Sequence, residues 1–308
     1  MTPLQRYIAE EIATDHVDGL LSRREAMRRL ALLGVSAAGA TALIAACGSE
    51  RAAAPTSTSS TSPASETTSA SGTTGPAPGM ATALPTTPIT WAGPRGELQG
   101  AWAEAADPRG AVLVIHENKG LNDWVGTVAG RLAGIGYSAL AIDLLSEEGG
   151  TATFTDPAEA TAALGKIDPE RFVADLKSGV TELARRVPGK KLAVTGFCFG
   201  GGLTWRLLGA GETQLAAAVP FYGPLPDNPD FAGATAAVLG FYGALDTRVT
   251  SSEPAAKAAL DKAGLANELV VEPEADHAFF NDSGPRYHPD AAADAWQKMQ
   301  DWFGQYLV

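Results

Sequence analysis

The chain has 308 residues, 45% of them hydrophobic and 19% charged, which excludes a disordered polymer and leaves room for one large or two small domains. Its net charge of −12 excludes the clustered basic surface that nucleic-acid binding needs. Two cysteines in unlike contexts, Cys47 and Cys198, argue against a disulfide framework. The four scattered histidines, His16, His116, His277 and His288, lack metal-ligand spacing, so neither a metal nor another cofactor is expected.

The first 46 residues read as an export signal. An amphipathic stretch over residues 2–21 is expected to be discarded with it and to have no place in catalysis. Ser22-Arg23-Arg24-Glu25-Ala26-Met27-Arg28 resembles a twin-arginine motif, with Ala26 where an aromatic is usual. A second pair, Arg28-Arg29, abuts the apolar run, so the general secretory route stays open. Residues 30–46 carry no charge and are short for a membrane-spanning helix, as a signal-peptide core should be. The run ends Ile44-Ala45-Ala46-Cys47-Gly48, which resembles a bacterial lipobox. Cleavage before Cys47 and lipidation of its thiol would tether the protein to the outer face of the cytoplasmic membrane or elsewhere in the cell envelope. An uncleaved anchor is the alternative. Residues 47–87, almost wholly Ser, Thr, Ala, Pro and Gly, cannot bury a core and read as a flexible linker.

Residues 88–308 form the folded domain. A polar hairpin over 89–104 turns at Gly93-Pro94-Arg95-Gly96. Short apolar strands follow at 111–116, 137–142, 192–197, 215–221, 236–242 and 268–273, with helical patterns near 123–134, 169–186, 202–209, 252–263 and 290–306. Continuous apolar strands separated by helices imply a mainly parallel sheet covered on both faces, an α/β fold. Ligands in such sheets sit beyond the carboxyl ends of the strands.

Those strand ends carry the chemistry. Gly196-Phe197-Cys198-Phe199-Gly200 is a G-x-nucleophile-x-G elbow, a strand breaking sharply into a helix whose N-terminus should lower the thiol pKa and hold an oxyanion. Other strands end at His116-Glu117-Asn118, at Asp143, at Gly243-Ala244-Leu245-Asp246, and before Asp276-His277-Ala278-Phe279-Phe280. The order Cys198, Asp246, His277 is nucleophile, acid, histidine, each following its own strand. His277 can take the thiol proton while Asp246 fixes the imidazole tautomer. Asp246 also reads as a turn residue, and Asp143 as a turn or packing aspartate because it precedes the nucleophile.

Together these motifs, with Gly120-Leu121 and Gly201, resemble the dienelactone hydrolase family across residues 88–308. The resemblance implies an α/β-hydrolase fold and a carboxylic ester or lactone hydrolase. Its nucleophile would be Cys198, its base His277, its orienting acid Asp246, with Glu117 the thiol's partner and the backbone N–H groups of Asn118 and Phe199 the oxyanion hole. Glu117 also reads as a strand-end carboxylate satisfied by backbone donors. Where the family's lactone enzymes place an arginine soon after the histidine, this chain has Asn281 and then Arg286. Arg286 reads as pocket-lining or as part of a solvated turn, and Trp124 and Tyr222 as pocket walls or core aromatics. The expected partner is a small ester or lactone, with a lipid anchor to the membrane. The competing reading is a non-catalytic ligand-binding lipoprotein on the same fold. A redox-sensing thiol would need a resolving cysteine near Cys198, and none lies near it in sequence.

Overall fold

A computed structural model describes residues 1–53 and 76–308, with side chains placed except at 50–53. Eight strands form one sheet: β1 (Thr87–Ala92), β2 (Glu97–Ala103), β3 (Gly110–Ile115), β4 (Tyr137–Asp143), β5 (Leu192–Phe197), β6 (Leu215–Phe221), β7 (Ala237–Gly243) and β8 (Asn267–Glu272). Their order is β1-β2-β4-β3-β5-β6-β7-β8. The β1/β2 hairpin and the β2/β4 pair are antiparallel, and every other pair is parallel. The parallel order follows from the sequence: β3, β4 and β5 are buried at every position, as strands covered on both faces must be. This is the α/β architecture expected from the sequence.

The covering helices are α4 (Asp123–Gly134), α5 (Pro157–Leu164), α6 (Pro169–Arg186), α7 (Phe199–Gly209), the single turn α8 (Thr247–Thr250), α9 (Glu253–Ala263) and α10 (Pro289–Tyr306). Helix α5 has no counterpart in the sequence reading, although Asp156 caps it and Pro157 opens it. Its eight residues are too few for periodicity to stand out. Helix α7 starts at Phe199, three residues before the expected Gly202, because the glycines pack as helix against the strands rather than forming a loop. Under the pocket the aromatic rings of Phe197, Phe221 and Phe241 stack in series at centroid spacings of 4.7 Å.

The segment before the domain divides differently from the sequence reading. The chain is already packed at Leu84, whose N–H donates to the Gly130 carbonyl at 3.0 Å. The stretch expected to be a linker thus includes ordered residues at its C-terminal end, and its residues 54–75 lie outside the described residues. The N-terminal segment forms α1 (Pro3–Val17), α2 (Arg23–Leu32) and α3 (Ala37–Ala53). Residues 30–46 are not one helix, because the chain breaks at Gly34, which has φ +84°. Among the described residues, no helix is long and apolar enough to cross a membrane. Helix α1 packs on α2 and α3, while α2 packs on α5, where Arg28 meets Asp156 at 2.8 Å. Ala26 is fully buried, so the small residue in the arginine motif suits this packing. Arg23 and Arg24 are exposed, whereas Arg28 and Arg29 both pair with Glu25.

Candidate active site

The site begins with backbone sterics at the end of β5. Cys198 has φ 55° and ψ −117°, a conformation that L-residues rarely adopt and that persists only where its surroundings impose it. Gly196 and Gly200 make the bend possible. A Cβ on Gly196 would lie 2.2 Å from the Gly200 carbonyl oxygen, and one on Gly200 would lie 2.4 Å from that of Ile115. The Cys198 N–H donates to Phe221 O and its carbonyl accepts from Gly202 N–H, both at 3.0 Å, so β6 and the first turn of α7 clamp the Cys198 position. Phe199 is the first residue of α7, and a helix leaves its leading N–H groups without partners inside the helix. Asn118, after β3, is buried beside the same end of the sheet.

Asp246 and His277 arrive on neighbouring turns. Asp246 follows β7, and its N–H donates to Gly243 O at 3.1 Å. His277 follows β8, where the positive φ of Glu274 and Ala278 (58° and 61°) tightens the turn. Its Nδ1 meets Asp246 Oδ2 at 2.6 Å, with both groups buried. Burial opposes the imidazolium, but the Asp246 charge and hydrogen bond outweigh it and hold the His277 pKa above its ordinary value. Burial likewise opposes ionisation of Asp246, and His277 reverses that, leaving the carboxyl below its usual range. Tyr222, at φ 36°, sets its ring edge-on to His277 at 5.1 Å between centroids.

The thiol itself differs from expectation. Burial pushes the Cys198 pKa well above its ordinary value, and the carboxylates of Glu11 and Glu117 push it the same way. Cys198 Sγ donates to Glu11 Oε2 at 3.3 Å. The Tyr7 hydroxyl stands 3.4 Å from Sγ and 3.3 Å from His277 Nε2, bridging thiol and imidazole. Both residues belong to α1, the stretch that the sequence reading set aside, which here lies against the pocket. The signal was present: Tyr7, Glu11, Asp15 and Asp18 recur at i, i+4, i+8 and i+11, one stripe of a helix. One ligating atom each from Glu11, Cys198 and His277 lie within 4.8 Å of one another, the only such donor set among the described residues. Its atoms are already engaged, the thiol with Glu11 and the imidazole Nε2 with the Tyr7 hydroxyl.

Other candidates fall into place around this centre. Glu117 turns its Oε2 to Asn281 Nδ2, which donates at 2.8 Å, and burial raises its pKa. Glu11 thus takes the thiol's hydrogen bond while α1 is in place, and Asn281 holds one oxygen of Glu117. Arg286 is not in a solvated turn: it meets Asp15 at 2.8 Å and Asp18 at 2.6 Å, both on the α1 side. Arg248, which the sequence reading passed over, is capped by the Tyr7 ring at 4.5 Å. Trp124 is a core aromatic, edge-on to Phe197 and donating to Asp282 at 2.8 Å. His116 and Asp143 organise loops, with His116 Nε2 accepting from Leu144 N–H at 3.2 Å and Asp143 Oδ2 accepting from Thr151 N–H at 2.7 Å. His288 caps α10 by accepting from Ala291 N–H at 3.2 Å. Cys47 lies within α3, partly buried.

Comparison with known proteins meets this geometry from outside. The profile of the Dienelactone hydrolase family matches residues 98–307. A protein of Salmonella typhimurium that carries the provisional name carboxymethylenebutenolidase is 39% identical over 209 residues, 63% of this chain and 77% of that one. The crystal structure of a dienelactone hydrolase, provisionally so named, from Klebsiella pneumoniae is 33% identical, with TM-score 0.63 over 72% of this chain and all of that one. A dienelactone hydrolase-like promiscuous phosphotriesterase from metagenomic libraries is 26% identical, again with TM-score 0.63, over 73% of this chain and all of that one. The family match begins beyond α1, α2 and α3, so the helix that touches Cys198 lies outside it.

Proposed function

Because the chain belongs to the dienelactone hydrolase family, we propose that it cleaves small esters or lactones with Cys198 as nucleophile, His277 as base and Asp246 as the group that orients the base. One observation carries this reading above the rest. The buried 2.6 Å contact from His277 Nδ1 to Asp246 leaves Nε2 facing the thiol side of the pocket. With the proton fixed on Nδ1, Nε2 is a lone-pair acceptor.

Once Tyr7 and Glu11 are out of the way, the thiol proton passes to Nε2 as sulfur attacks the substrate carbonyl, and the carbonyl π pair moves onto oxygen. The resulting imidazolium lies against Asp246, which stabilises it. The N–H groups of Phe199 and Asn118 receive the oxyanion, each donor contributing about 3–4 kcal/mol in comparable sites. Collapse breaks the C–O bond, and the departing alkoxide takes the proton from Nε2. The thioester left on Cys198 is then hydrolysed by water that His277 deprotonates. Glu117, fixed by Asn281, supplies a second buried charge beside the pocket.

The export and tethering suggested by Arg23-Arg24 and by Ala45-Ala46-Cys47 belong to the same reading, with Cys47 as the lipidation site after removal of residues 1–46. Chromogenic short-chain esters test the catalytic part, assayed with and without those 46 residues. Cys198→Ala is expected to abolish turnover in both forms. Retained turnover in that variant would remove Cys198 from the mechanism.

A further inference from the structure

We infer that the mouth of the catalytic pocket is a docking surface for the chain's own N-terminal helix α1, which keeps substrate from Cys198 until the helix leaves. The inference rests on Cys198 being the nucleophile, as proposed above.

Three observations carry it. The first is occupation. Tyr7 places its hydroxyl between Sγ and Nε2, the line along which the thiol proton must travel, and Glu11 takes the hydrogen bond that the thiol could offer the imidazole. Cys198 is 2% exposed and His277 4%, so a carbonyl carbon has no approach to sulfur while α1 is seated.

The second is complementarity along one stripe. Tyr7 lies on Arg248, Glu11 on Cys198, and Asp15 and Asp18 on Arg286. The two aspartates of the stripe are thus matched by one arginine at the rim of the site, and its tyrosine by another. A helix that only completed a hydrophobic core would not need that pattern.

The third is the edge of the seat. An open groove of about 310 Å³ runs along the start of α1, bordered by Leu4 and Tyr7 on the helix and by Arg206, Pro224, Asp227 and Arg248 on the domain. Along that groove helix and domain are not packed together, so one edge of the cap meets solvent. The two parts are joined through residues 54–75, and the proposed cleavage before Cys47 falls between them, so α1 would depart with the leader.

The experiment uses the full chain with Cys47→Ser, which leaves one thiol. The alkylation rate of Cys198 by iodoacetamide reads access to sulfur without requiring turnover, and a chromogenic acetate ester reads catalysis. Asp15→Asn combined with Asp18→Asn removes the pairs with Arg286 from outside the reacting groups, and Tyr7→Ala with Glu11→Ala removes the cap itself. Both variants are expected to raise alkylation by about ten-fold or more, the size of change that a shift in the docked population produces. Ester turnover should rise in step. Alkylation unchanged in both variants overturns the inference. Loss of turnover with unchanged alkylation in the Tyr7/Glu11 variant also overturns it, since α1 would then complete the site rather than close it. Faster alkylation upholds the docking whatever Cys198 does, whereas turnover retained in Cys198→Ala removes Cys198 as nucleophile, so the two ideas fail separately.

Discussion

Two helices border Cys198, and they are held in different ways. Helix α7 lies behind the sulfur, fixed by backbone-to-backbone approach: Gly196, Gly200 and Gly201 leave no room for a side chain between it and β3, β5 and β6. Helix α1 lies in front, fixed at the pocket by Tyr7 and Glu11 against the thiol and by Asp15 and Asp18 against Arg286. Contact by steric exclusion cannot be loosened without unfolding the elbow. Contact through partly exposed ion pairs contributes modestly and weakens with salt. The wall behind the nucleophile is thus permanent, and the wall in front is conditional.

The largest expected effect tests the permanent wall. Gly196→Ala would force a Cβ to within 2.2 Å of the Gly200 carbonyl, and backbone oxygen cannot swing aside as a side chain can. The variant is expected to lose about 3 kcal/mol or more of stability, the upper end of overpacking costs, and with it the elbow. Thermal denaturation checks this. An unchanged melting temperature would mean that α7 is no more firmly seated than α1, and the contrast would dissolve.

That difference also explains what was legible in the sequence. Steric necessity leaves glycines at fixed spacing, so the elbow, β5 and the positions of Asp246 and His277 could be read directly, and α4 and α6 fell within the expected bounds of 123–134 and 169–186. The role of α1 was legible only as a stripe, Tyr7-Glu11-Asp15-Asp18, whose partners Arg248 and Arg286 stand more than two hundred residues away. Pairing across that distance has no local signature, and the export motif that follows led the stretch to be read as an address alone. Glu117 shows the same limit. Its position after β3 was clear, but the hydrogen bond that holds one of its oxygens comes from Asn281, on another loop.

The next effect in size concerns catalysis behind the conditional wall. Asp246→Asn removes the carboxylate that fixes the Nδ1 proton and stabilises the imidazolium, a loss on the order of 10³–10⁴-fold in kcat with KM little changed. If α1 limits turnover in the full chain, this loss is largest when measured in the Asp15→Asn/Asp18→Asn background, where the helix no longer holds the site closed. Equal losses in the two backgrounds would show that chemistry, not the cap, sets the rate of the full chain.

The smallest effect separates the two carboxylates that face the sulfur, one from each side of the comparison. Burial raises the Cys198 pKa first, with Glu11 next and Glu117 after it, while the Tyr7 hydrogen bond works in the opposite direction. Arg248 is the cation within the same enclosure, lying against the Tyr7 ring, and the His277 imidazole is engaged by Asp246. A nearby carboxylate disfavours thiolate, so removing either charge must lower the pH at which alkylation reaches half its maximum. Glu11→Gln and Glu117→Gln are therefore both expected to shift the profile toward lower pH. They part company in the high-pH plateau, where the thiol is fully ionised and only access matters. Glu11→Gln should raise that plateau, because it loosens the helix that covers the sulfur. Glu117→Gln should leave it unchanged, because Glu117 belongs to the domain and is held by Asn281. Plateaus that rise equally would place both carboxylates on the same footing, and α1 would then be a fixed part of the pocket rather than its cover.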